Sequence, residues 1–169
     1  LRTYLHSQAR NGTQNSWLRW RAEQDYMILI PPLCGFCSAQ ICYVNLNVDN
    51  QTVRIFDGEE NKTPRLDRYQ LVDFDTDPLY KYYYRSYMNI YQYSMTPDAY
   101  RYWKSVQQLV NPQGTPLDPP PAPINSNIVN IENEQETVLG YFEVSGLHIV
   151  RTFATRTDLG NLFVFDFCG

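Results

Sequence analysis

The chain has 169 residues, 43% hydrophobic and 19% charged, with a net charge of -4 from 14 Lys+Arg and 18 Asp+Glu. That length suits one domain of roughly 150 residues, able to bury a core without metal or disulfide staples. The composition excludes a disordered tail, a collagen-like repeat and a coiled coil; no run approaches the ~18 apolar residues of a membrane span, and no basic field exists to attract nucleic acid.

In chain order, Ser16–Ile30 comes first. A helix would bring Trp17 and Trp20 to one side, whereas a strand groups Leu18, Trp20, Ala22 and Tyr26, and the β-branched and aromatic tail favours the strand. From Ile41 to Val48, Cys42, Val44, Leu46 and Val48 alternate with Ile41, Tyr43, Asn45 and Asn47, the period of a half-buried strand. Turn chemistry at Asp49-Asn50 and an extended Thr52–Phe56 predict a hairpin, closed by Asp57-Gly58. Asn61–Arg68 is charged, holds Pro64 and reads as a loop.

Tyr80–Tyr93 predicts the most aromatic strand. Its even positions (Tyr80, Tyr82, Tyr84, Ser86, Met88, Ile90) form a core face. Its odd positions (Lys81, Tyr83, Arg85, Tyr87, Asn89, Tyr91, Tyr93) mix rings with polar groups, as a partly covered or ligand-facing surface does. A helix follows at about 97–110, with Thr96 as N-cap, Pro97 in the first turn and Asp98 at the positive end of the dipole. Tyr100, Trp103, Val106, Leu109 and Val110 make its apolar stripe, and Asn111-Pro112 and Gly114 end it. Five prolines in the eight residues Pro116–Pro123 form a stiff crossover. Three further strands are expected at Ile128–Ile131, Val138–Val144 and Leu147–Phe153, with Gly140 marking a bulge or a close approach. The whole predicts a mainly β fold, an antiparallel, sandwich-like sheet with one amphipathic helix and a Pro-rich crossover.

Cys34, Cys37, Cys42 and Cys168 admit three readings. A zinc site lacks a second ligand pair, since neither His6 nor His148 has ligand spacing. A redox site at Cys34-Gly35-Phe36-Cys37 lacks a helix to lower its thiol pKa. Structural disulfides in an oxidising compartment are preferred, and the three pairings of four cysteines stay open. Asn11, Asn50 and Asn61 head Asn-x-Thr sequons, which favour exposed loops.

The catalytic case is weak. Ser145 and His148 sit at odd spacing on a strand, with no nucleophile elbow around the serine. Glu59-Glu60 and Glu132, Glu134 and Glu136 lie in turn-like polar sequence, where solvated charge is the ordinary outcome. Asp73, Asp75 and Asp77 alternate, but Pro78 and Tyr84 stand where an EF-hand needs Gly and Glu; a looser calcium site stays open beside a solvated loop. No catalytic residue and no cofactor is expected.

Tyr87–Trp103, Leu117–Ile124 leading to Asn127-Ile128, and Val138–Ser145 resemble, in that order and spacing, the domain of unknown function 4249 family of Bacteroidota envelope lipoproteins. Trp17–Arg21, Cys42-Tyr43 and Phe56-Asp57-Gly58 fit as well. The resemblance implies a signal peptide, a lipid-modified cysteine and an immunoglobulin-like sandwich upstream, and a further cysteine and polar tail beyond Cys168-Gly169. Residues 1–169 are therefore expected to be one β-rich domain truncated at both ends. The resemblance carries no catalytic residues. It implies a lipid-anchored outer-membrane or cell-surface location, alongside TonB-dependent transporters or other envelope machinery.

The function expected is that of a non-catalytic accessory or scaffold lipoprotein docked on a β-barrel or on other subunits of an envelope complex, touching the membrane only through its upstream anchor. Glycan capture by Tyr83, Tyr87, Tyr91 and Tyr93 is the alternative, and a carboxylate hydrolase using Glu132 and Glu134 comes third.

Overall fold

Trp17–Ile30 contains neither glycine nor proline, and its 14 residues extend as a single strand. The computed structural model describes residues 2–8, 17–30, 32, 34–36, 38–48, 53–61, 65–73, 84–110, 124, 126–133 and 135–159. Strands β1 (Arg2–Gln8), β2 (Trp17–Ile30), β3 (Gln40–Asn47), β4 (Arg54–Asp57) and β5 (Arg65–Asp73) come first in the chain. Strand β6 (Ser86–Met95), helix α1 (Pro97–Val110), strand β7 (Gly146–Ala154) and a 3-10 turn at Arg156–Leu159 follow. The fold is mainly β and antiparallel with one helix, and the main sheet does not close into a barrel. No helix among the described residues is long and apolar enough to cross a membrane.

β2 organises the five-stranded sheet. Along one edge it pairs with β6, from Trp17 opposite Met95 to Tyr26 opposite Ser86, and β7 continues the sheet beyond β6. Its other edge is shared between β3, opposite Glu23–Ile30, and β4, opposite Trp17–Trp20. The expected hairpin between Ile41–Val48 and Thr52–Phe56 is therefore corrected. Val48 N still donates to Ala22 O at 3.1 Å, and the chain rejoins the same edge at Arg54. Turn-forming residues signal departure from a ladder, but they do not choose the edge to which the chain returns. Here β3 leaves the first half of β2 unpaired, and burial of Ile55 and Phe56 draws β4 back to it.

The second sheet is the antiparallel pair β1–β5. Arg65–Arg68 belongs to β5, correcting the loop expected there. Its pairing with β1 slips between Leu5 and Ser7, and Arg68 takes φ 50°. This bulge resets the alternation, so Leu66, Tyr69 and Leu71 turn to one side although their numbering would split them. That side packs on Trp20, Ala22, Phe56, Met88, Ile90 and Ala154, the even face of the main sheet. The Trp20 and Tyr69 rings lie 5.2 Å apart across the layers. The polar handle of Trp20 is satisfied, its Nε1 donating to Gln92 Oε1 at 3.0 Å.

Helix α1 covers one end of the opposite face. Tyr100 N donates to Thr96 O at 2.9 Å and Ala99 N to Thr96 Oγ1 at 3.2 Å, so Thr96 is the cap that its sequence position predicts. Ala99 and Tyr100 are buried with Ile55 and Met95, Trp103 packs beside them, and Leu109 and Val110 stay exposed. Gln107 Nε2 donates to Val53 O at 2.7 Å and so ties the helix to the start of β4.

The strands expected at Ile128–Ile131 and Val138–Val144 are corrected, as those segments join no ladder among the described residues. Asn127 substitutes for one, donating from Nδ2 to Phe142 O at 2.7 Å and accepting from Phe142 N at 2.8 Å. Gly140, at φ 114°, holds a conformation that strand residues with a Cβ do not adopt. Pro116–Pro123 and Tyr80–Tyr83 lie outside the described residues.

Replacing Thr96 by alanine removes the cap and is expected to cost about 1 kcal/mol. A lower urea midpoint with an unchanged slope checks this.

Candidate functional site

Odd-numbered side chains of β2 and β6 point away from the β1–β5 layer, and α1 covers only part of that face. Asp25 stands in the uncovered part. Its Oδ1 accepts from Asn45 Nδ2 at 2.5 Å and its Oδ2 from Asn89 Nδ2 at 2.6 Å. Arg151 Nη2 lies 4.0 Å from Oδ2, and Arg151 Nε donates to Asn89 Oδ1 at 2.6 Å. One polar row thus crosses β3, β2, β6 and β7.

A neighbouring set lies further along the same face. Tyr91 OH donates to Glu23 Oε2 at 2.8 Å, and the Arg21 guanidinium pairs with the other oxygen of Glu23. The Glu23 hydrogen bond, with burial and the negative charge of Glu23 adding to it, raises the Tyr91 pKa above the usual phenol value. Burial first, against the opposing pull of Lys104, also raises that of Tyr100 on α1.

Beside Asp25 opens a groove of about 750 Å³, lined by Asp25, Tyr26, Met27, Tyr43, Val44, Asn45, Tyr84, Arg85 and Tyr87. The Tyr87 ring is propped by Phe153, whose centroid is 6.0 Å away, and the Arg85 guanidinium lies 5.0 Å over the same Phe153 ring.

The covered end of the face has a different chemistry. The Arg19 guanidinium lies 4.4 Å over the Tyr93 ring and 4.1 Å over the Trp103 ring. Its Nη2 donates to Glu143 Oε1 at 2.6 Å, while Trp103 Nε1 donates to Glu143 Oε2 at 2.8 Å. Both charged side chains are only 16% exposed, so the pair is little screened. Tyr102 stacks on Tyr141 at 4.7 Å alongside. This cluster is a clamp holding α1 and the Tyr141–Glu143 segment on the sheet.

Of the four tyrosines picked from the sequence, Tyr87, Tyr91 and Tyr93 share one face and do three different things. Tyr87 lines the groove, Tyr91 bonds Glu23, and Tyr93 lies beneath Arg19. Tyr83 lies outside the described residues. Sequence reasoning missed Asp25, Asn45, Tyr43 and Arg151. The available signal was Glu23 and Asp25, two carboxylates on the same side of a strand otherwise rich in apolar residues.

Cys34 is disulfide-bonded and Cys42 is a free, half-buried thiol, while Cys37 and Cys168 lie outside the described residues. Glu59, Glu60, Glu132 and Glu136 occupy exposed turns and bends, Glu134 lies outside the described residues, and Ser145 precedes β7, which carries the exposed His148. Asp73 ends β5, Asp75 and Asp77 lie outside, and the described residues hold no group of three or more His, Cys, Asp or Glu placed to bind a metal ion.

The profile of a domain of unknown function, DUF4249, matches residues 4–148. The chain belongs to the DUF4249 family. No curated protein and no solved structure matches it. The DUF4249 match runs from β1 into β7, so it takes in the Arg19 clamp, Asp25 and the Tyr87–Tyr93 face.

Two outcomes are expected. A raised phenol pKa means that the Tyr91–Glu23 contact favours folding below about pH 10, an advantage lost as pH rises through the folded value. Phenolate absorbance should therefore show Tyr91 ionising late, and Glu23→Gln should move it earlier. Arg19→Ala leaves Glu143 without its cation and should cost about 3 kcal/mol in denaturant unfolding. Arg19→Lys should recover only part of that loss, because an ammonium lacks the planar stacking face.

Proposed function

We propose that this chain is a non-catalytic docking module of the bacterial envelope. In this reading it is an accessory or scaffold subunit held by a lipid anchor beside a membrane-embedded β-barrel, such as a TonB-dependent transporter. The observation that carries it is the apolar strip around β7. Leu147, Ile149 and Phe153 are 52%, 53% and 51% exposed, and Phe142 and Val144 of the preceding segment are 69% and 80% exposed. Among the described residues β7 pairs only with β6, leaving its other edge without a strand partner. An edge of nine residues with no proline and a single charged side chain, Arg151, is one that soluble domains ordinarily shield or charge further. Exposed apolar side chains gathered in one stretch of chain support an interaction surface there.

A non-catalytic role is supported by the internal pairing of the best-placed carboxylates. Asp25 and Glu143 each accept bonds on both oxygens from neighbouring side chains, which suits holding rather than proton transfer. A second reading, glycan capture on the odd face, is favoured by the aromatic groove beside Asp25.

Isolation from the envelope in mild detergent should bring down a β-barrel protein with the chain. Ile149→Asp together with Phe142→Ser should release that partner while leaving the circular dichroism spectrum unchanged. A wild-type chain that emerges as a clean monomer would refute docking.

A further inference from the structure

We propose that the groove beside Asp25 binds a short neutral oligosaccharide, with one sugar ring against Tyr87 or Tyr43 and neighbouring hydroxyls read by Asp25 and Asn45. The proposal rests on the glycan reading above and assigns it a place and a ligand class. The groove, about 750 Å³, falls within the roughly 300–1,000 Å³ of small-ligand sites and is open, so a chain of sugars can continue past it.

One ring of the groove is open to solvent: Tyr43 is 82% exposed on β3, although a strand normally turns such rings inward. The face of a phenol ring is electron-rich and meets the polarised C–H groups on one side of a pyranose. Tyr87 is braced by its cross-strand neighbour Phe153, 6.0 Å away, so its ring is already positioned.

The polar pair has capacity to spare. Each Asp25 oxygen takes one bond from an amide, Asn45 to Oδ1 and Asn89 to Oδ2, and a carboxylate oxygen accepts two. Asn45 keeps its own carbonyl and a second N–H beside them. Acceptor and donor stand 2.5 Å apart, the alternation that two adjacent hydroxyls, each donor and acceptor, complement. The amides hold Asp25 still, so ordering it on binding costs little. Only Asp25 and Arg85 among the lining residues are charged, so the lining is neutral overall and has no field to select a polyanion.

The test is calorimetric titration of the folded chain with the neutral trisaccharides that retain it on an array of neutral and acidic oligosaccharides. Tyr43→Ala and Asn45→Ala, both at exposed positions where folding is not at stake, should each weaken binding tenfold or more. Tyr91→Phe, outside the groove, should change it less than twofold. Retention of acidic sugars alone overturns the ligand class. Binding that falls with Tyr91→Ala yet ignores Tyr43→Ala and Asn45→Ala overturns the groove and leaves glycan capture standing. Silence across the array overturns both.

Discussion

One guanidinium settles how the odd face of the sheet is divided. Arg19 projects from β2 between the rings of Tyr93 and Trp103 and is closed by Glu143, joining a strand, a helix and a segment that joins no ladder among the described residues. Each contact alone is modest, but the group is planar, always charged and largely removed from water, so its alternatives are costly. It fixes where α1 lies and how far the Tyr141–Glu143 segment reaches. Everything beyond it on that face, from Arg21 to Asp25, is left uncovered by the helix.

The two faces of the main sheet therefore differ for reasons of partner rather than composition. The even face meets β5 and buries Trp20, Ala22, Met88 and Ile90. On the odd face, β6 alone carries Tyr87, Tyr91 and Tyr93, which tolerate half-burial because each has a polar end to satisfy, and Asn89 between them. Asn89 is almost fully buried there, and it can be so because both ends of its amide are bonded, to Asp25 and to Arg151.

Local signals in the sequence were legible where geometry is local. Thr96-Pro97-Asp98 marked the helix start, and the period of two in β2 and β6 assigned inner positions correctly at Trp20, Ala22, Met88 and Ile90, whereas Leu46 and Tyr84, expected inside, are exposed. β5 was obscured because its bulge at Arg68 breaks that period, so Leu66 and Leu71 read as out of phase. Val138–Val144 has a strand's composition but joins no ladder among the described residues, and Gly140 within it takes a positive φ. The site was half visible. Tyr87 and Tyr91 stood out by type, whereas Asp25, Asn45 and Arg151 come together only through pairings between strands up to 126 residues apart, which no short window contains.

The divided edge of β2 also bears on how the domain assembles. β2, β3 and β4 lie within residues 17–57, so each pairing there closes a short stretch of chain, whereas β6 must return from residue 86 and β7 from residue 146. Loop closure is least costly over the shortest separations. The three-strand unit is thus the part of the sheet whose pairings cost the least chain entropy to close, and the aromatic strand bears the longer closure.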